Sequence, residues 1–450
     1  MNNGLSVIIL SRNESDNLKK CLGCLRKYSN GYVKNIIVAD NDSDDRTSEL
    51  IRENEDVVFY EIKDEVIPWG RVLNMIIDEL NIDSDILILS ARTMITPNCI
   101  SKLLSMTDKC CAIVGTANYT NDVLMKPIRE ISDYNDALNY AYETENIRDF
   151  NNVMQLYPAA TLFQSEVFEK IGKFDERLFS ISSVYTDYSL RMLEGGIEIF
   201  VNRGAFIYEV NTEVEYKNEI DSDSRILKSK YGMNYFNLHS NHNIIEILSA
   251  EISKRNVEEL RILEVGCDLG ATLFAIKQKF SYAKLYGIEL NEAAANIAGH
   301  SVKVIVANIE EENLNYENGY FDYIIFGDVL EHLHNPESTL RYIKKYLKND
   351  GKIIASIPNL MHISVMKELL KGNFTYTDDG LLDKTHIHMF TYREIVKMLE
   401  RAGLNNYEFY TIGGLLDNRE EEIVNALLTI EPEAEYFMYS TFQYLVIAGK

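Results

Sequence analysis

Along the first 120 residues, short apolar runs alternate with stretches in which apolar residues recur every three or four positions. LSVIIL (5–10), NIIVAD (35–40), VVFYEI (57–62) and DILILS (85–90) are rich in Val and Ile, and each gives way to a polar turn. That pattern predicts buried strands. Between them, NLKKCLGCLRKY (17–28) and GRVLNMIIDEL (70–80) have helical spacing. Strands alternating with helices imply a parallel sheet covered by crossover helices. The rhythm restarts after residue 255 with RILEVG (261–266), KLYGIEL (284–290), KVIVAN (303–308), DYIIFGD (322–328) and KIIASIP (352–358), and STFQYLVIAGK (440–450) reads as a late strand. The intervening stretch 211–232 is polar and lacks strong apolar periodicity. We therefore expect an α/β protein with two doubly wound domains, 1–210 and 236–450, joined by a linker over 211–235. A length of 450 residues fits this, at roughly 100–200 residues per domain.

Composition narrows the partners. The 45 basic residues against 69 acidic ones leave a net charge of −24. The excess is shared almost evenly by the two halves, so it is solvating surface and not an acidic tail. Nucleic-acid binding needs clustered Lys and Arg, and so does attraction to an anionic membrane. Neither partner is expected. No window approaches the ~20 apolar residues that span a bilayer, and the start MNNGLSVIIL lacks the basic region of a secretory leader. Adjacent Cys110 and Cys111 suit a reduced compartment, and Cys21 and Cys24 fall within a helical pattern that favours core packing. The expectation is a cytoplasmic chain without an integral membrane segment.

Ligands of open α/β sheets bind at the carboxyl ends of the strands, so the residues after each strand carry the chemistry. In the second unit the first strand leads into E264-V-G-C-D-L-G270. Gly266 permits a tight turn, and Gly270 permits close approach at the start of a helix. The second strand ends in Glu289, whose carboxylate can accept both hydroxyls of a ribose. Asn308 ends the third and can bond a base edge. The fourth brings Asp328, Glu331 and His332 to the rim. Asp268, beside a helix N-terminus, repels a pyrophosphate and counts against a dinucleotide.

These residues resemble the class I S-adenosylmethionine-dependent methyltransferases. E-V-G-C-D-L-G is similar to their first motif, with Asp268 in place of its middle glycine. The resemblance covers about 236–450 and implies a Rossmann-like fold. It also implies a donor site of Glu264, Gly266, Cys267, Gly270, Glu289, Asn308, Ile309 and Asp328. A cationic sulfonium suits carboxylates at strand ends. Methyl transfer is chiefly positioning, plus a base where the acceptor is a hydroxyl. His332 and His386 are the candidate bases, with His388 behind them and His386 in the polar loop TDDGLLDKTH (377–386). The His386/His388 spacing is a weak metal signature, and no metal is expected there.

The first unit resembles family 2 glycosyltransferases of the GT-A fold over about residues 5–205. S-R-N-E (11–14), Asp40 and W69-G-R-V-L-N74 stand at that family's nucleotide-sugar positions, which implies Asn13, Asp40, Arg71 and Asn74 as contacts to a UDP- or dTDP-sugar. Two catalytic elements depart from the pattern. Ser90-Ala91-Arg92 replaces the D-x-D that holds a divalent metal, and Ser and Ala lack the anionic oxygens that Mg²⁺ or Mn²⁺ demands. V184-Y-T-D-Y-S-L-R191 keeps Asp187 and Arg191, while Tyr185, a poor base, stands in the place of an acidic residue. Three readings stay open. The domain only binds a glycan or sugar nucleotide; or it acts without metal, with Arg92 on the diphosphate and Asp187 as base; or the motif lies elsewhere and a nearby carboxylate such as Asp83 or Asp85 holds the metal.

Together the resemblances imply a glycan-assembly enzyme that methylates a sugar hydroxyl and adds or binds a sugar. The alternatives are a methyltransferase of a small metabolite or protein with a docking domain, and a non-catalytic glycan-binding scaffold.

Overall fold

The computed structural model describes residues 4–29, 31–106, 110–118, 120, 125–210, 217–233, 237–255, 259–311, 313–377 and 380–450. The chain divides into two compact units, Met1–Ser240 and Asn241–Lys450.

The first unit carries β1 (Leu5–Ser11), β2 (Val33–Asn41), β3 (Val57–Ile62), β4 (Ile86–Ser90), β5 (Thr93–Ile95), β6 (Cys111–Ala117), β7 (Phe150–Val153), β8 (Ala160–Phe163) and β9 (Glu198–Glu209). Their order is β3-β2-β1-β4-β8-β6-β9-β5, with β7 on β9. The four strands read from the sequence are parallel, as expected. Beyond them the sheet turns mixed, because β8 lies antiparallel between β4 and β6. Every residue of β1 and β6 is buried, but only β1 is rich enough in Val, Ile and Leu to read as a strand from the sequence. Cys21 lines the buried side of helix Ser15–Tyr28 beside Leu18, Leu22 and Leu25, and burial raises its thiol pKa.

The segment expected as a linker contains a helix, Lys217–Tyr231, that belongs to the first unit. Its fully buried Asp223 accepts the backbone N–H groups of Phe179 (2.8 Å) and Ser180 (2.7 Å), and Leu227 joins the first core. The anchor is a polar side chain capping another element, so apolar periodicity carries no trace of it. Residues 211–216 and 234–235 of that segment lie outside the described residues.

The second unit carries β10 (Arg261–Val265), β11 (Lys284–Glu289), β12 (Lys303–Val306), β13 (Phe321–Gly327), β14 (Leu347–Pro358), β15 (Asn406–Ile412) and β16 (Gln443–Gly449). Their order is β12-β11-β10-β13-β14-β16-β15. β10 to β14 are parallel, and β16 runs antiparallel to both neighbours. Alternate residues of one strand feed two cores: Ile324 and Phe326 one, Tyr323 and Ile325 the other. Apolar layers therefore cover both faces, as a doubly wound sheet requires. The strand order reverses between β10 and β13, which opens a crevice at their carboxyl ends.

Candidate active site

The turn after β10 is shaped by three positive φ values, at Gly266 (67°), Asp268 (48°) and Gly270 (82°). The N–H groups of Gly266 and Cys267 both donate to the Ile288 carbonyl (2.8 and 3.1 Å), tying the turn to β11. A Cβ on Gly266 would meet Val329 Cγ2 at 2.5 Å, and one on Gly270 would meet the Ala298 Cβ at 2.9 Å. Cys267 is buried, its sulfur packed against the backbone at Gly287.

Three carboxylates converge at this turn. Glu289 accepts the N–H of Asp268 on one oxygen and that of Asn291 on the other, each at 2.8 Å. Burial, with the charge of Glu289 added, raises Asp268 to about 7. Glu264 is 4% exposed, and its Oε2 has no hydrogen-bond partner. Burial, Asp268 and Glu289 together raise it to about 8. Among the described residues no Lys, Arg or His pairs with any of the three. The turn thus gathers acidic groups with no cationic partner among the described residues, an unfavourable place for a phosphate.

The remaining residues expected at the donor site follow around the rim. The Asn308 Oδ1 accepts the Glu310 N–H (3.0 Å), and Ile309 is buried beside it. Asp328, at φ 56°, donates its N–H to Ser356 Oγ (2.9 Å) and accepts that hydroxyl's proton (3.0 Å) and the Gln443 amide.

Next to Asp328 the short helical turn Leu330–His332 meets the loop 381–390. The N–H groups of Ile387 and His388 donate to the Glu331 carbonyl at 2.8 and 3.0 Å. This pairing brings His386 to His332, with ring centroids 4.9 Å apart. Burial, then the neighbouring His332, lowers His386 below the ordinary imidazole value. His388 is directed elsewhere, its Nε2 against the His334 carbonyl (3.2 Å). Asp378 and Asp379 of the polar stretch 377–386 lie outside the described residues. Glu331 completes the group, 1% exposed, with Oε2 unpartnered. The sequence puts Glu331 on the rim, but what gives it weight is a meeting with His386, which no local spacing encodes.

In the first unit, Asn13, Asp40 and Arg92 gather at the carboxyl ends of β1, β2 and β4. The Asn13 N–H donates to Ser43 Oγ (2.8 Å), and the Ser43 hydroxyl donates to Asp40. Asp40 is buried, which raises its carboxyl. Arg92 Nε lies 3.7 Å from Glu14, and its charge also reaches the half-buried Glu209. Arg71 is exposed on helix Trp69–Glu79. Asn74 is committed elsewhere. Its amide clamps the Phe174 backbone in both directions (3.0 and 3.1 Å) and reaches Glu176, so its role is to hold a loop.

Asp187, expected as the base, is fully buried. Its carboxylate is taken by Arg191 Nε (3.0 Å), Lys230 and Tyr231 Oη (2.8 Å), which leaves it structural. Lys230 and Tyr231 come from the unexpected helix. Tyr185 is buried, and desolvation raises its phenol further. Asp83 and Asp85 precede β4, at the opposite end of the strand from Ser90, so neither stands in for a metal carboxylate on the rim.

Residues 6–172 match the family model for glycosyl transferase family 2, and residues 237–408 that for a methyltransferase domain. An uncharacterized protein of Methanocaldococcus jannaschii, MJ1123, is 28% identical over 39% of this chain and 80% of its own length. The mitochondrial ubiquinone biosynthesis O-methyltransferase of Dictyostelium discoideum is 25% identical over 36% of this chain and 58% of its own length. A SAM dependent methyltransferase from Archaeoglobus fulgidus aligns at 16% identity and a TM-score of 0.34, over 50% of this chain and 99% of that one. Among the described residues no helix is long and apolar enough to cross a membrane.

Proposed function

We propose that this fusion of a family 2 glycosyl transferase domain and a methyltransferase domain moves a methyl group from S-adenosylmethionine to a hydroxyl of a sugar or glycan. The observation that carries the donor is the unpaired cluster of Glu264, Asp268 and Glu289. Such a cluster is costly to bury unless a cation joins it. Glu289 would hold ribose hydroxyls, Asn308 and Ile309 the adenine, and Glu264 and Asp268 the positive charge. Bound there, S-adenosylmethionine supplies a methyl group on a sulfonium, open to an oxygen nucleophile.

The chain's own part is to hold the acceptor and take its proton. Asp328, clamped by Ser356 and Gln443, fixes the rim between donor turn and acceptor side. The Glu331–His332–His386 group is the place toward which the hydroxyl proton leaves. Oxygen as the acceptor atom is supported by the Dictyostelium relative, an O-methyltransferase. A sugar is supported by the domain that precedes the site. That domain we read as one that binds a glycan or sugar nucleotide, because Asp187 is consumed by Arg191, Lys230 and Tyr231.

Incubation with labelled S-adenosylmethionine and a panel of sugars, glycans and small phenols tests the reading. Label in a sugar or glycan, absent from Glu289→Ala, supports it. Label in phenols alone would move the acceptor to small metabolites, and no donor binding by calorimetry would sink the enzyme reading altogether.

A further inference from the structure

We propose that Glu331, His332 and His386 form a binding site for a divalent transition-metal ion of the zinc class. The sequence spacing offers no such site. The fold creates it by pinning the loop 381–390 to the turn Leu330–His332. One ligand atom from each of the three residues lies within 4.8 Å of the others.

Three further features separate this group from an ordinary packing cluster. Glu331 is buried, yet its Oε2 has no hydrogen-bond partner, so a carboxylate oxygen waits in a desolvated place. Both imidazoles present Nδ1 to a backbone carbonyl, His332 to Thr385 (3.1 Å) and His386 to Leu381 (3.3 Å). A carbonyl only accepts, so Nδ1 carries the proton in each ring and Nε2 keeps its lone pair. That is the tautomer and the outer-shell bond of a metal-ligating histidine. Finally, Asp328 and Asp383 add negative charge around Glu331, which favours a cation there.

Two histidines and one carboxylate are a ligand set of catalytic zinc, and they leave a fourth position open. The metal site stands on this geometry alone. Its chemical role rests on the proposed methyl transfer. An ion there withdraws electrons from an acceptor hydroxyl, so the O–H proton passes to water. With the ion bound, His332 and His386 act on that proton through the metal, as ligands, where the metal-free group takes it directly. As the O–CH₃ bond forms, the sulfonium C–S bond breaks and its electron pair stays on sulfur as a neutral thioether.

The test uses the full chain, stripped with chelator and titrated with Co²⁺ as a coloured stand-in for zinc. One ion per chain is expected, with visible d–d bands and no thiolate charge-transfer band. Thiolate bands would place the ion on cysteines and overturn the assignment. E331Q and H386Q should each weaken Co²⁺ at least about tenfold. Their affinity for S-adenosylmethionine should stay within about twofold of wild type, which shows that the domain is folded and keeps the donor reading separate from this one. Unchanged Co²⁺ binding in both variants, or no Co²⁺ bound by wild type that still binds donor, refutes the site.

Discussion

Glu264 carries a cost that the unliganded domain cannot relieve. In an unfolded chain its carboxyl titrates near 4.5, and in the fold near 8. Between those values the folded state holds the extra proton, so stability falls as pH rises through that window. Asp268 adds to this with its own rise to about 7. The melting temperature of the unliganded domain should therefore drop by several degrees from about pH 5 to about pH 8.5. The rise that S-adenosylmethionine brings should widen over the same range, because a cation restores the ionised forms; differential scanning fluorimetry reads both. Glu264→Gln removes the charge without removing the volume. It should flatten the pH trend and weaken donor binding by about ten- to hundredfold. The rim positions of Glu264 and Glu289 are legible because each sits at the end of an apolar run, whereas the meeting of Glu289 with Asp268, 21 positions away, is not. Asn74 looked like a donor contact and proved to be a loop clamp, since one residue type serves both ends and only a partner 100 positions away decides.

Burial on both sides makes a strand legible only where Val, Ile and Leu fill it; β6 and β8 are wholly buried and β9 largely so, yet their mixed residues leave no such run. β1, β4, β10 and β13 are almost wholly buried and read as apolar runs. β5 and β7, of 3 and 4 residues, and β15, partly exposed along its whole length, are too short or too mixed to stand out. The donor turn was legible for another reason, because its backbone demands glycine. At φ 82°, Gly270 opens the helix Ala271–Lys279 in the left-handed region. Gly270→Ala adds backbone strain and brings a Cβ to 2.9 Å from that of Ala298. We expect a loss of about 1–3 kcal/mol in the stability of the second unit, and weaker donor binding because the helix start shifts. Chemical denaturation and calorimetry measure the two effects.

For the whole molecule, a net charge of −24 sets what a diphosphate donor must overcome. The rim of the first unit offers Arg92, already shared between Glu14 and Glu209, where a metal would otherwise bridge carboxylate and phosphate. Raising the salt should therefore strengthen sugar-nucleotide binding by screening the repulsion, and Mn²⁺ or EDTA should leave sugar-nucleotide hydrolysis unchanged. Asp187 then answers a different question from the one its sequence position poses. It joins the helix Ile181–Glu194, through Arg191, to the helix Lys217–Tyr231, through Lys230 and Tyr231. Asp187→Asn leaves the half-buried Arg191 without its carboxylate and Lys230 with Asp175 alone, a change that costs up to about 3–5 kcal/mol. A catalytic base would lose turnover and keep its fold. Here the first unit should unfold at markedly lower denaturant, while titration of the second unit with S-adenosylmethionine stays as in wild type, because each unit closes its own core. Unaltered stability in that variant, with loss of sugar transfer, would return Asp187 to the role of base.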